Sequence, residues 1–570
     1  LHNSEEKIVF SVIEDSPELL RFSVSRKNVK ADKKLVDCVD LDAGLVHWFG
    51  GPQQKEQYWP VEKLNLSEYS YVTKEADNAG VAERYWVNSE GVFIYLSHQV
   101  PLFIDQNTMK AGHLCFIAHQ AKPYNTRAQT YDFEYVIGVA ANAKEAHLQA
   151  VDKYLGKPTG VPDERMAARP IWSTWARYKR DIDANTVMKF AKEIIDNQFT
   201  NSQFEIDDDW EICYGALTFR QSKFPNIART VTELKNMGFR VTLWIHPFIN
   251  TACSPYYEHA VANRYLVLDH NGRPNTQWWN SNTGEAAYID FTNPAARTWY
   301  LAHLAELQRI TGIDSFKFDA GESSWQPDDP VLTSALEQYP SPQKITTDYI
   351  DAVATFGPIV EVRSGFQNQM LNIYMRMIDK DSVWTWENGL PTLITTLLQL
   401  NMNGYPFVLP DMIGGNGYEG MPDRELFVRW LQANVFMPSL QFSYVPWDYV
   451  DGDGIQVVDL CRRFVKLHED YTNVIMERFE RAVTHGDPVN PPIWWLDPED
   501  QIALSISDEF LLGEEILSAP VIEKGKTSRD IYLPRGRWQD GNTGTIHHGP
   551  TWLRNYPAPL SVLPYFIRQQ

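Results

Sequence analysis

The sequence predicts an α/β protein: a (β/α)8 TIM barrel flanked by an N-terminal β-sandwich and a C-terminal β domain. Three observations predict it. Short alternating apolar runs, broken by Gly, Asn, Asp and Pro, fill residues 1–160. From Pro170 strand-like apolar runs alternate with amphipathic helical segments, which gives eight strand candidates. From about Glu480 the period-two pattern returns. A chain of 570 residues exceeds what one hydrophobic core serves. The expected domains are 1–160, 161–480 and 481–570.

In the first domain Lys7–Ile13, Leu20–Val24, Val92–Leu96 and Phe133–Val139 read as strands. Ala143–Leu155 reads as a helix, and the Gly- and Pro-rich run Gly156–Pro162 as a linker. The barrel strands are expected at Ile171–Ala176, Ser202–Ile206, Arg240–Ile245, Ile313–Phe318, Ile359–Arg363, Ser382–Trp386, Phe407–Leu409 and Val435–Phe442. Helices are expected at Asn185–Asn197, Ala228–Met237, Pro294–Ile310, Thr346–Thr355, Leu390–Met402 and Arg424–Asn434. Asn293 followed by Pro294 is a cap and first-turn pair. The connection between the fifth and sixth strands carries the weakest helical pattern. Ile502–Ser507, Ile516–Val521 and Asp530–Leu533 are the strands of the last domain.

The formal charge of −21 argues against nucleic acid and anionic membrane surfaces as partners, because phosphates would be repelled. No run of eighteen apolar residues occurs, so no membrane contact by this segment is expected. Residue 1 is Leu and no leader pattern follows, which leaves an upstream leader or anchor open. The cysteines, at 38, 115, 213, 253 and 461, form no CxxC pair; one or two disulfides at most are expected, and no zinc site. Asn65-Leu66-Ser67 is a glycosylation acceptor and leans toward a secretory compartment. A homo-oligomer is left open.

Active sites of barrels lie at the C-terminal strand ends. There the sequence places Glu205-Ile206-Asp207-Asp208-Asp209, Trp244-Ile245-His246, Lys317-Phe318-Asp319-Ala320-Gly321-Glu322, Arg363 and Asp411, while Asp379-Lys380-Asp381 comes just before the expected sixth strand. A carboxylate on apolar flanks costs several kcal/mol unless it is paired. Asp319 is therefore the leading candidate for a reacting group, with Lys317 holding it ionised and Arg363 as the other counter-charge. The competing reading makes Asp319 a structural partner of Lys317. Part of the run 205–209 reads equally as a solvated turn, and Trp278 and Trp279 as loop anchors. Aromatic residues make up 13% of the chain, with 19 Trp, several at strand tips or in loops. Aromatic faces suit pyranose rings better than they suit a metal-binding mouth, so two carboxylates flanking a glycosidic bond are favoured over a carboxylate–metal site. No cofactor and no metal are called for.

These motifs resemble glycoside hydrolase family 31, the retaining α-glycosidases, over almost the whole length. Lys317–Glu322 resembles that family's nucleophile strand, and Gly404-Tyr405-Pro406-Phe407 through Asp411-Met412-Ile413-Gly414-Gly415 its seventh-strand signature. Trp48-Phe49-Gly50-Gly51, with Gln57 and Trp59-Pro60, resembles a sandwich loop that rims the pocket. The resemblance implies Asp319 as nucleophile. For the acid/base it leaves two carboxylates. Gapless alignment favours Asp379, protonated at rest; a one-residue insertion favours Asp381. Glu205, Asp207 and Asp411 are then expected on sugar hydroxyls, and Trp244 and Trp279 as stacking walls. Lys317 and Arg363 orient the nucleophile. Two departures argue against glucose: the Asp-x-Asp of α-glucosidases is Glu205-Ile206-Asp207 here, and Ser443 stands where they carry a histidine. The phrases Val161–Met166, Arg240–Trp244, Ser315–Glu322 and Leu409–Met412 resemble a branch that implies an α-galactosidase-type exo-glycosidase acting on an α-galactoside. That branch also implies the secretory pathway, in the endoplasmic reticulum lumen or secreted, with an upstream anchor. An α-glucosidase or another α-glycosidase of the family is the alternative, and a non-catalytic sugar-binding factor is the alternative from another class.

Overall fold

A computed structural model describes residues 7–41, 44–279, 285–333 and 341–569. Eight parallel strands form its central sheet: Ile171–Ser173, Gln203–Ile206, Arg240–Ile245, Ser315–Phe318, Glu361–Val362, Tyr374–Arg376, Val408–Leu409 and Gln441–Phe442. Neighbours in sequence are neighbours in space, and strand eight pairs with strand one. Beyond strand seven, Met412 bridges in parallel to Gln441, which closes the barrel.

Helix Ala184–Asp196 illustrates why the outer ring forms. Asp183 caps it by accepting from the Thr186 amide. Val187, Phe190, Ala191 and Ile194 repeat at i, i+3, i+4 and i+7 and are buried. Phe190 meets Trp172 and Phe204 edge-on from the sheet. Helix Leu390–Met402 has no solvent face: every residue in it is buried. The N-terminal domain covers one side, where Asn403 donates to the Gly51 carbonyl, and Asn401 accepts from the Asn490 amide on another.

The N-terminal strands form a six-stranded and a four-stranded antiparallel sheet that enclose their own apolar core. Cys38–Cys115 crosslinks two strands of the smaller sheet, and Cys213–Cys253 ties the loop after barrel strand two to the one after strand three; Cys461 is buried and free. The last segment is a five-stranded antiparallel sheet. Among the described residues no helix is long and apolar enough to cross a membrane.

The structure corrects several expectations. Strand six is Tyr374–Arg376, not Ser382–Trp386. The latter run has β-prone residues, but it folds back on itself at the barrel mouth, where the amides of Gly389 and Leu390 bond to the carbonyls of Thr385 and Val383. Residues 364–373 connect strands five and six by bends and turns without a helix. Strand one ends at Ser173, and Trp175–Tyr178 turns into a short helix. Strand eight is only Gln441–Phe442. Ala503–Ser505 is a 3-10 turn rather than part of a strand, and Val457–Asp470 and Thr472–His485 are two further helices.

Candidate active site

Strand pleat decides what reaches the mouth. On strand four Phe316 and Phe318 pack outward on Phe356, while Ser315 and Lys317 take the other face. Asp319 follows as the chain leaves the barrel. Its amide donates to the Ile245 carbonyl, and Ala320 and Gly321 then turn through positive φ, 58° and 97°. A Cβ on Gly321 would lie 2.5 Å from Ser364 Oγ and 2.6 Å from the Tyr349 ring, so only glycine fits.

A cavity of about 350 Å³ opens there. Asp207, Trp244, Trp279, Lys317, Asp319, Arg363 and Asp379 all line it, as do Asp381, Arg376, Trp175, Asp208 and Tyr418. The N-terminal domain contributes Lys55, Glu75 and Asn78. The volume suits a small sugar and lies at the lower end of ligand-pocket sizes.

Asp319 is held from three sides. Its Oδ1 accepts from Arg376 Nη2 at 2.7 Å and faces Arg363 Nε at 3.3 Å; Oδ2 accepts from Trp244 Nε1 at 2.8 Å. Burial alone would raise its pKa, but Arg363, then Arg376 and Lys317, and the Trp244 hydrogen bond outweigh that and hold it well below the usual carboxylate range. Arg363 is itself aimed by Glu322, which accepts from its Nε at 2.7 Å, and its guanidinium lies 4.8 Å from the centre of the Trp279 ring.

Asp379 follows strand six. Its Oδ1 accepts from Arg376 Nη1 at 3.1 Å and lies 4.0 Å from Arg363 Nη1. Its Oδ2 accepts from the Tyr418 hydroxyl. Burial pushes its pKa up, but Arg376, Arg363 and Tyr418 more than compensate, so it sits below the ordinary value. These neighbours therefore favour the Asp379 anion, where the sequence implied a resting acid. Asp381 also lines the cavity; Asn388 Nδ2 donates to it at 3.2 Å, and burial, foremost, lifts its pKa.

Arg376 was absent from the candidate residues. It is 2% exposed and touches Asp319, Asp379 and Asp411, the last at 3.3 Å. It was missed because strand six was placed after it; with the strand at Tyr374–Arg376 it is the last strand residue, where barrel chemistry gathers. Trp175 and Tyr418 were also missed: the first was counted in strand one, and the second lies in a glycine-rich loop without periodicity.

Lys317 does not pair with Asp319. Its Nζ donates to Asp207 Oδ2 at 2.9 Å and to Glu205 Oε1 at 3.1 Å. Glu205 is fully buried and does not line the cavity; it lies one layer down strand two from Asp207. Asp411 is likewise sealed, accepting from the Lys380 amide at 2.8 Å and Asn416 Nδ2 at 2.7 Å. None of the run 205–209 is a solvated turn: Asp208 accepts from Tyr214 at 2.6 Å, and Arg220 and Lys223 clamp Asp209. Trp278 is a buried anchor bonded to Asn250, whereas Trp279 is 37% exposed on the rim. His246 is buried against Glu211.

Residues 167–472 match the model of the glycosyl hydrolases family 31 TIM-barrel domain, and 486–570 that of the family 31 C-terminal domain. The chain is 36% identical over 547 residues to the myogenesis-regulating glycosidase of Mus musculus, spanning 92% of this chain and 75% of the relative. It is 28% identical over 561 residues to the SITS-binding protein of Tetronarce californica, spanning 94% and 76%. Among solved structures, the GH31 dextranase of Flavobacterium johnsoniae has a TM-score of 0.79 at 18% identity, over 98% of this chain and 73% of that one, a likeness of fold.

Proposed function

The chain belongs to glycoside hydrolase family 31, and on that footing we propose that it is a retaining exo-α-glycosidase whose preferred sugar is α-galactose. One observation carries the reading: the two terminal nitrogens of Arg376 hold Asp319 and Asp379 beside one cavity. Retaining enzymes keep their two carboxyls about 5–5.5 Å apart and inverting ones about 6.5–9.5 Å. Both carboxylates meet one guanidinium beside one cavity, and the family likeness supports the retaining course.

In the first step Asp319 attacks the anomeric carbon. The bond to the leaving oxygen breaks, and Asp379 gives that oxygen a proton. In the second, Asp379 takes a proton from water, which attacks the same carbon and releases Asp319. The strong depression of the Asp319 pKa keeps it an anion and a fit leaving group. Arg376, Arg363 and Tyr418 favour Asp379 in the ionised form the second step needs. A bound sugar shields Asp379 from water, which pushes its proton affinity up for the first. Asp207 and Asp208 face the ring as hydroxyl acceptors, and Trp244 and Trp279 as apolar walls.

The galactose preference rests on the sequence likeness alone, because the two departures from the α-glucosidase pattern, Glu205 and Ser443, are both buried and do not line the cavity. The relatives include α-glucosidases and α-xylosidases and so span several sugars. Two disulfides support a secretory location. A panel of p-nitrophenyl α-glycosides tests the reading. The galactoside should show the highest kcat/KM. A higher value on the glucoside or xyloside would overturn the sugar, and sugar binding without turnover on any member would overturn the enzyme.

A further inference from the structure

Tyr418 stands on the loop after strand seven, between glycines at positive φ. Gly417, at φ 67°, packs so closely that a Cβ there would fall 1.8 Å from Tyr444 Oη, so the loop has one course past this point. That course sets the Tyr418 ring at the rim. Trp175 Nε1, from the loop after strand one, donates to Tyr418 Oη at 3.2 Å, and Lys179 Nζ lies 4.9 Å from the ring centre. The Tyr418 hydroxyl in turn donates to Asp379 Oδ2, the oxygen that Arg376 does not hold.

We propose that Tyr418, held by Trp175, is a positioning residue that fixes the Asp379 carboxyl and keeps it ionised until a leaving group arrives. The proposal rests on the acid/base reading of Asp379. A carboxylate that must be acid in one step and base in the next needs a donor it can surrender. Arg376 cannot serve, because it lies at the buried floor of the cavity and also holds Asp319 and Asp411. Tyr418 can: it is 51% exposed on an aromatic rim where the leaving group would enter. Its exposed edge faces solvent, but the hydroxyl is enclosed between Trp175 and Asp379; that local desolvation, then the Asp379 charge, pushes the phenol far above its usual range, so it remains a donor throughout.

Other charges face Asp379 as well. Arg376 on its own strand and Arg363 on strand five lower its pKa, while Asp319 on strand four raises it. Asp411, Glu75 and Lys179 interact with it from strand seven, the N-terminal loop and the loop after strand one. None of these meets Oδ2 directly as Tyr418 does.

The test compares wild type with Tyr418→Phe and Trp175→Phe on a methyl and a p-nitrophenyl glycoside of the preferred sugar. Losing the donor raises the Asp379 pKa, so the alkaline limb of kcat/KM moves to higher pH in Tyr418→Phe, and by less in Trp175→Phe. Near neutral pH the methyl glycoside loses about tenfold in kcat/KM and the nitrophenyl glycoside no more than about twofold, because only the first needs a well-placed acid. Adding Tyr418→Phe to Asp379→Asn should cost nothing further. An alkaline limb that stays put, with equal losses on both substrates, would reduce Tyr418 to packing and overturn the proposal. If Asp379→Asn itself still cleaves the methyl glycoside, the acid/base reading beneath it fails instead.

Discussion

Arg376 donates from Nη2 to Asp319 Oδ1 at 2.7 Å, the shortest charged contact the candidate nucleophile makes. The same guanidinium reaches Asp379 and Asp411, so one buried cation couples the two candidate catalytic carboxylates to the loop after strand seven.

Arg376→Met should therefore damage both stability and turnover. It strips several buried carboxylates of their shared partner, and breaking a buried pair costs about 3–5 kcal/mol. Arg376→Lys should recover much of the melting temperature and little of kcat, because a point charge cannot span two carboxylates as a planar fork does. A lysine variant with wild-type kcat would show that charge alone is needed. Thermal melts and steady-state kinetics on both variants decide it.

Asp379→Asn should lose about 10²–10⁴-fold on methyl glycosides and much less on nitrophenyl glycosides, which leave without a proton. Asp381→Asn should change both substrates together and by less, since Asp381 has no contact with Arg376 and is instead bonded to Asn388. If the two variants exchange these behaviours, Asp381 is the acid/base.

Glu205 lies beneath the cavity, one strand layer below Asp207, with Lys317 between the two acids. Glu205→Gln should lower the melting temperature while the galactoside-to-glucoside ratio of kcat/KM stays within about twofold. Asp207→Asn, on the cavity wall, should move that ratio. A Glu205→Gln enzyme with altered sugar preference would put Glu205 back among the sugar contacts.

Burial lifts Glu361 to about 8, Glu83 to about 7 and Asp208 to about 6. Each binds more protons folded than unfolded between its ordinary value and its raised one, so each contributes stability at low pH that is lost as pH rises through that window. His147, pushed down to about 3, and Lys380, down to about 7, act in the opposite sense. Asp319, held low, contributes above the ordinary carboxylate value and matters only at more acid pH. The raised acids outnumber the lowered bases, so the melting temperature should fall from pH 5 to pH 8. Glu83→Gln, which keeps an acceptor for Tyr405 and the Gln367 amide, should flatten that slope. A full linked proton changes stability by about 1.4 kcal/mol per pH unit. A melting temperature that climbs steadily across the range would contradict this.

Much of the barrel was legible because its longer strands have clear periodicity. Ser315–Phe318 alternates aromatic with polar and ends on a carboxylate, so Asp319 could be read directly. Tyr374–Arg376 is three residues long and lies between apolar neighbours, too short for its period to stand out beside the Trp-rich run that follows. That misplacement hid Arg376. Strand two ends at Ile206, as expected, but Glu205 and Asp207 share one face of it two residues apart, so Asp207 reaches the cavity and Glu205 is sealed one layer below, a depth that sequence does not give. Tyr418 and Trp175 meet only through the barrel's closure, across 243 residues of chain. No local pattern carries such a contact.

The central claim is that Asp319 bonds to the anomeric carbon in the pocket it shares with Asp379. Treating the enzyme with a galacto-configured cyclophellitol aziridine and mapping the adduct by peptide mass spectrometry tests it most directly. The account predicts one adduct, on Asp319, that is lost in Asp319→Asn. An adduct on Asp207, Asp379 or Asp381, or none with galacto-, gluco- and xylo-configured probes alike, would contradict it.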